Sequence, residues 1–194
     1  MPDIEIHGFA QSTYVRTARM TCIEKGVAHT LVPLDFRSDA HRALHPFGRM
    51  PIMRDGDLVL FETLAIAFYL DETRDGPALQ PADPPGRARM LAWITAATDY
   101  VHGTLLRPYL AVDSLSAEQR AAARENLEIV DLALSKGPFL LGAQLTLADL
   151  FLAPMVGFAE GQAEFAELTG GLDGLDAWRQ AVWTRDSFRR TLAQ

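Results

Sequence analysis

Pro51 stands at the head of a run, Ile52, Met53 and Arg54, that otherwise reads as an ordinary β-strand, and it constrains the fold more than any other residue. A proline cannot donate to a sheet ladder, so it is tolerated at the first position of a strand or on an edge. Asp55-Gly56 follows as a type I′ hairpin turn, and Leu58 to Phe61 as the returning strand. If the Met50-Pro51 bond is cis, the backbone of Met50 turns outward, where its N–H and C=O can pair with an extended ligand. Directly after the hairpin, Glu62 and Thr63 open an apolar helix, Leu64 to Leu70. One helix start therefore gathers a carboxylate, a hydroxyl and free N–H groups, a set suited to the carboxylate and ammonium of an amino acid together.

Upstream, Ile4 and Ile6 alternate with Asp3, Glu5 and His7 and predict a first strand. After the loop from Gly8 to Gln11, Ser12 or Thr13 caps a helix that Gly26 ends, with Val15, Ala18 and Cys22 on one face. Val27 to Leu34 reads as a second strand, parallel to the first if the helix is a crossover. A short helix follows from about Ser38 to Leu44. The order is βαβ-α-ββα, the thioredoxin-like arrangement. Between Asp75 and Gly86 the chain turns Pro- and Gly-rich and has linker composition.

Beyond that linker every strong periodicity is helical. Met90, Ile94, Ala97, Val101 and Leu105 form one stripe, and Ala123, Leu127, Val130 and Leu134 another. Thr146 to Asp149 is a variant capping box flanked by Leu145 and Leu150, and shorter helices near Leu172 to Val182 and Asp186 to Leu192 finish the chain. The expected fold class is α/β plus all-α: a thioredoxin-like domain over 1–75, a linker over 76–86 and an all-helical domain over 87–194.

Composition narrows the function. With 194 residues, 48% of them hydrophobic, the chain can bury one large core or two small ones. A net charge of −7 with no basic stretch argues against nucleic acid as a partner. The single cysteine, Cys22, excludes an intrachain disulfide and any multi-cysteine zinc site, and the histidines lack metal-ligand spacing, so no metal is expected. The longest apolar stretch, Leu147 to Ala159, is interrupted by Asp149, Pro154 and Gly157, and no signal pattern opens the chain. A cytoplasmic location without membrane association is the expectation.

Pro46-Phe-Gly-Arg-Met-Pro51 and Leu60-Phe-Glu-Thr63, set in this two-part architecture, resemble the cytosolic glutathione S-transferase family. The resemblance covers the whole chain and includes Glu24-Lys25-Gly26, Asp55-Gly56-Asp57 and Thr146 to Asp149. His7-Gly8 followed by Ser12-Thr13, with Arg16 one turn on, is most similar to the serine-type, phi-like enzymes, including bacterial relatives. Thr63 stands where serine is usual, Arg49-Met50 where Gln-Val or Lys-Val is commoner, and His45 where asparagine precedes the proline.

The resemblance implies a detoxifying transferase and homodimer with glutathione as co-substrate, bound through Arg49, Met50, Pro51, Glu62 and Thr63, with a hydrophobic electrophile as the second partner. Ser12 would be the catalytic hydroxyl. Its bland reading is a helix cap; its functional one is donation to the glutathione thiolate at a helix N-terminus, where lowering a thiol from about 8.5 to about 6.5 needs roughly 2.7 kcal/mol. Thr13 is the nearer rival and Tyr14 the more distant one. Cys22, more than two turns inside the helix, reads as structural. Arg16 reads as a solvated surface charge that could also orient the active-site loop, and Arg37, His41 and Arg42 are candidates for the glycine end. The co-substrate pocket is expected between the loop Phe9 to Gln11 and the helical domain, lined by Phe9, Gln11, Tyr100, His102, Gly103 and Arg107, with Phe158 and Phe165 as further lining. A non-catalytic binding module, or a glutathione-dependent peroxidase or isomerase, is the alternative.

Overall fold

The computed structural model describes residues 4–192; Asp3, whose alternation with Ile4 opened the expected first strand, lies outside them. The chain divides into two compact units, one running to Ala78 and resuming at Asp186, the other Leu79–Arg185.

In the first unit, β1 (Ile4–His7), β2 (His29–Val32), β3 (Ile52–Asp55) and β4 (Leu58–Phe61) form one sheet in the order β2-β1-β3-β4. β1 and β2 are parallel, joined by the crossover helix α1 (Thr13–Glu24), whereas β1–β3 and β3–β4 are antiparallel. The alternation in β1 buries Ile4 and Ile6, which meet Val15, Ala18 and Cys22 of α1, Met53 of β3, and Ile66 and Leu70 of α3 (Thr63–Thr73) in one apolar cluster. Between them lies α2 (Asp39–Leu44), capped by the Ser38 hydroxyl, which accepts the His41 N–H at 3.1 Å.

Several boundaries differ from the sequence expectation. β2 is shorter, because Gly26, at φ 67°, turns the chain and the Val27 N–H still donates to the Cys22 carbonyl at 2.8 Å. Asp55 pairs with Leu58, so the hairpin loop is Gly56-Asp57, not Asp55-Gly56. Only Gly56 has positive φ, the type II′ pattern instead of type I′. Of the linker expected over 76–86, residues 76–83 carry no helix or strand, although Leu79 is buried, and the last three belong to α4 (Pro84–Ala96), which begins at the proline pair under an Asp83 cap. The two prolines fit because the first helical positions need no intrahelical donor.

The C-terminal helix α10 (Asp186–Arg189), expected with the helical part, packs in the first unit. Phe188 lies under the Arg16 guanidinium of α1 at 4.9 Å, and the Arg190 carbonyl accepts from Arg19 at 3.3 Å. Within this unit Lys25 Nζ bridges Asp71 and the Pro77 carbonyl, both at 3.0 Å, tying the ends of α1 and α3 to the chain that leaves them.

The second unit is helical. α4 runs through a π-helical turn (Ala97–Val101) into α5 (His102–Leu105), and the expected stripe from Met90 to Leu105 is buried throughout. A 3₁₀ turn (Arg107–Leu110) leads to α6 (Ala117–Leu134), whose Ala123, Leu127, Val130 and Leu134 are buried as predicted. α7 (Leu147–Ala159) is buried at every position except Gly157 and Phe158, which explains its continuous apolar sequence. Asp149 on α7 has no exposure, and it accepts from the Leu140 N–H, Thr146 N–H, Thr146 hydroxyl and Trp178 Nε1–H at 2.9 to 3.0 Å. The capping box is therefore also the polar anchor of the unit. The short helix α8 (Phe165–Thr169), the π turn and the 3₁₀ turn were not expected; α9 (Asp173–Trp183) was. Among the described residues no helix is long and apolar enough to cross a membrane.

Candidate functional site

The first unit carries the Ser12, Met50 and Glu62 segments at connected points of one sheet. Ser12 caps α1: its oxygen accepts the Val15 N–H at 3.4 Å, while its own N–H donates to the Phe9 carbonyl at 3.1 Å. That cap is long for an N–H···O bond, and accepting it leaves the hydroxyl proton to donate elsewhere. Thr13 is instead the first helical residue and is buried. Tyr14 and Gln11 are half-buried and exposed respectively.

Gly8 lets these parts converge. A methyl placed on it would run into the Val15 side chain and lie 3.4 Å from the Met50 Cβ, so only glycine lets the end of β1, the first turn of α1 and Met50 approach so closely. The Met50-Pro51 bond is cis, and Met50 lies outside both ladders of β3, which end at the His7–Ile52 and Ile52–Phe61 pairs.

Glu62 caps α3 with its backbone, at φ 71° and ψ 120°, and its side chain makes no cap hydrogen bond. A non-glycine residue in this region costs on the order of 1–3 kcal/mol, and such residues cluster at ligand clamps. Its carboxylate is exposed, while Thr63 behind it is buried.

Of the three glycine-end candidates, Arg37 and Arg42 flank Gly48 with exposed side chains. His41 is committed differently. Its Nδ1 accepts the Arg37 N–H at 2.8 Å, so Nε2 carries the proton and donates to the Arg49 carbonyl at 2.7 Å. His45 is buried, its ring 5.0 Å from Phe61. Burial, more than any neighbour, lowers its pKa; the Glu62 carboxylate opposes the shift, and His41 and Arg49 add to it. Neither structural role was read from sequence, although His41 on a short helix and His45 just past its end were visible there.

Arg16 corrects the expectation of a solvated charge. It is only 5% exposed, with Nε and Nη2 buried and unpartnered, and its pKa is lowered to about 10 by burial first and by Arg19 second. It carries its charge at neutral pH and packs against Phe188. Cys22 is buried as expected, and burial pushes its thiol up to about 12.

The remaining pocket candidates fall on both units. On the first, the Phe9 ring meets that of Phe36 at 5.6 Å, tilted by 56°. On the second, Tyr100 is exposed on the π turn, His102 and Gly103 are half-buried on α5, and Arg107 is exposed at the 3₁₀ turn. Burial and then Arg107 lower the His102 pKa. Phe158 meets the Tyr109 ring at 6.3 Å, whereas Phe165 is buried beneath Arg179 and belongs to the core. Among the described residues no group of three potential metal ligands exists.

Residues 6–78 match the family model described as glutathione S-transferase, N-terminal domain, and residues 113–181 the corresponding C-terminal domain. The chain is 32% identical to glutathione S-transferase F14 of Arabidopsis thaliana, over 91% of this chain and 78% of that protein. It is 29% identical to the theta class glutathione S-transferase of Xanthomonas axonopodis pv. citri, solved with glutathione bound, with a TM-score of 0.84 over 100% of this chain and 99% of that one. A third relative, the stringent starvation protein A homolog of Pasteurella multocida, is 27% identical over 92% of this chain and 85% of its own length. The chain belongs to the glutathione S-transferase family.

Proposed function

We propose that the protein is a serine-type glutathione transferase that holds glutathione as a thiolate and directs it at an electrophilic carbon of a hydrophobic co-substrate. Glu62 takes the γ-glutamyl ammonium, and the Thr63 hydroxyl and first N–H groups of α3 take the neighbouring carboxylate. Arg49, Met50 and Pro51 form the edge along which the peptide lies, with the backbone of Met50 as its hydrogen-bonding partner. Ser12 donates to the sulfur. The supporting observation is the bonding state of Ser12, whose oxygen accepts one long bond from Val15 while its proton stays available at a helix N-terminus.

The thiol proton passes to solvent, the sulfur lone pair forms the new C–S bond, and the leaving group departs with its electron pair. No covalent enzyme intermediate is needed, because the ligand supplies the nucleophile and the protein supplies orientation and charge stabilisation. Calorimetry with glutathione tests the binding mode: Glu62→Ala removes a charge-assisted contact of about 1.5–3 kcal/mol, roughly a tenfold to hundredfold loss of affinity. Unchanged affinity would mean that the ligand or its pose is wrong. A panel of electrophiles, hydroperoxides and isomerisable substrates separates transfer from peroxide reduction and isomerisation.

The relative named as a stringent starvation protein A homolog supports a second reading, a non-catalytic interaction module on the same fold. Absent turnover across the panel together with absent glutathione binding selects it. A cytoplasmic homodimer is part of the proposal, and light scattering that reports a monomer at micromolar concentrations overturns the dimer.

A further inference from the structure

Ring contacts join all three segments of the site through α2. Phe9, whose carbonyl holds the Ser12 N–H, meets Phe36 at 5.6 Å; Phe36 meets His41 at 5.4 Å, His41 meets His45 at 6.3 Å, and His45 meets Phe61, the residue before Glu62, at 5.0 Å. His45 also meets Phe47 at 6.4 Å, and His41 holds the Arg49 carbonyl, one residue before Met50. The loop at Ser12, the edge at Met50 and the strained backbone at Glu62 therefore share two imidazoles as their common support.

Building on the reading of this site as a glutathione site, we propose that His41 and His45 are its positioning residues, and that His45 holds Met50 and Glu62 in binding geometry only as a neutral ring. His41 is held from both sides, accepting the Arg37 N–H at Nδ1 and donating from Nε2 to the Arg49 carbonyl, which ties the start of α2 to the residue before Met50. His45 is 1% exposed, and its Nδ1 is buried without a partner. An imidazolium there would leave a buried charge with one opposing group, Glu62, and with His41 and Arg49 repelling it. It would draw the Glu62 carboxylate inward, in competition with the ligand ammonium. S-methylglutathione has no ionisable thiol, and ordinary carboxylates and amines keep their charge between pH 7.5 and pH 5.5, so this ligand does not itself titrate in that window.

S-methylglutathione affinity measured by calorimetry at pH 7.5, 6.5 and 5.5 tests this, with glutathione at pH 7.5 as the reference, together with backbone amide resonances of the ligand-free protein over the same range. The wild-type protein is expected to bind at least tenfold more weakly at pH 5.5, and the Met50 and Glu62 amides to shift with one midpoint. His45→Asn should flatten both profiles to within about threefold in affinity, with His45→Gln as the second variant and thermal melts confirming that each is folded. Binding without pH dependence, or an unchanged slope in both variants, overturns the positioning role and leaves the transferase reading intact. Failure to bind glutathione at pH 7.5 overturns the transferase reading; the amide titration then decides the histidine coupling alone, and Met50 and Glu62 amides that do not move together refute it.

Discussion

Replacing Ser12 by Ala separates two roles that one hydroxyl can play at a helix start. As a cap, its oxygen lies 3.4 Å from the Val15 N–H, well beyond the usual optimum of about 2.9–3.0 Å. The stability lost with it should fall at the low end for caps, about 0.5 kcal/mol. As a donor to the glutathione sulfur, it supplies at least about 1.4 kcal/mol, or one unit of thiol pKa. A bound thiol moved from about 6.5 to about 7.5 goes from roughly three-quarters to roughly one-quarter thiolate at pH 7, so turnover should fall about threefold there and recover as pH rises past about 8.5. Thiolate absorbance against pH for the glutathione complexes, with a thermal melt of each protein, provides the assay. A melt that shifts while the titration stays in place would refute the catalytic role of Ser12 and move the search to Thr13 and Tyr14.

Asp149→Ala leaves four donors without their acceptor, and at about 1 kcal/mol each the loss is roughly 4 kcal/mol, or a melting temperature lower by about 10 °C; a drop under about 3 °C would contradict the anchoring role. His29, His45 and His102 all have native pKa values lowered from 6.5, mainly by burial. Their neutral forms favour the fold fully above pH 6.5, and that contribution is lost as pH falls below it, because the unfolded chain takes up protons that the native state resists. Urea midpoints should therefore decline from pH 7 to pH 5, and a flat or rising series would refute the sign. Cys22, buried with its thiol pushed up to about 12, should resist a thiol-labelling reagent at pH 8 until denaturant is added; prompt native labelling would show it to be accessible.

What the sequence determined by itself is local. The alternation in β1, the Ser12 cap and Gly26 stop around α1, the proline-led hairpin, the Glu62-Thr63 helix start and the capping box at Thr146 each depend on residues within a few positions of one another, and each appears in the structure. The hairpin turn was misassigned by one residue because register is set by pairing across the sheet, here Asp55 with Leu58, and not by the dipeptide. Tertiary structure alone decided the rest. Arg16 looked like a surface charge until α10 returned from the far end of the chain to cover it with Phe188. Asp149 looked like a helix cap until Trp178 and Leu140 also donated to it. His41 and His45 acquired their roles only when the loop carrying Arg49 and the strand ending at Phe61 closed around α2. Periodicity and caps are encoded within a turn or a strand, whereas burial and hydrogen-bond partners belong to residues that meet only after the chain has folded.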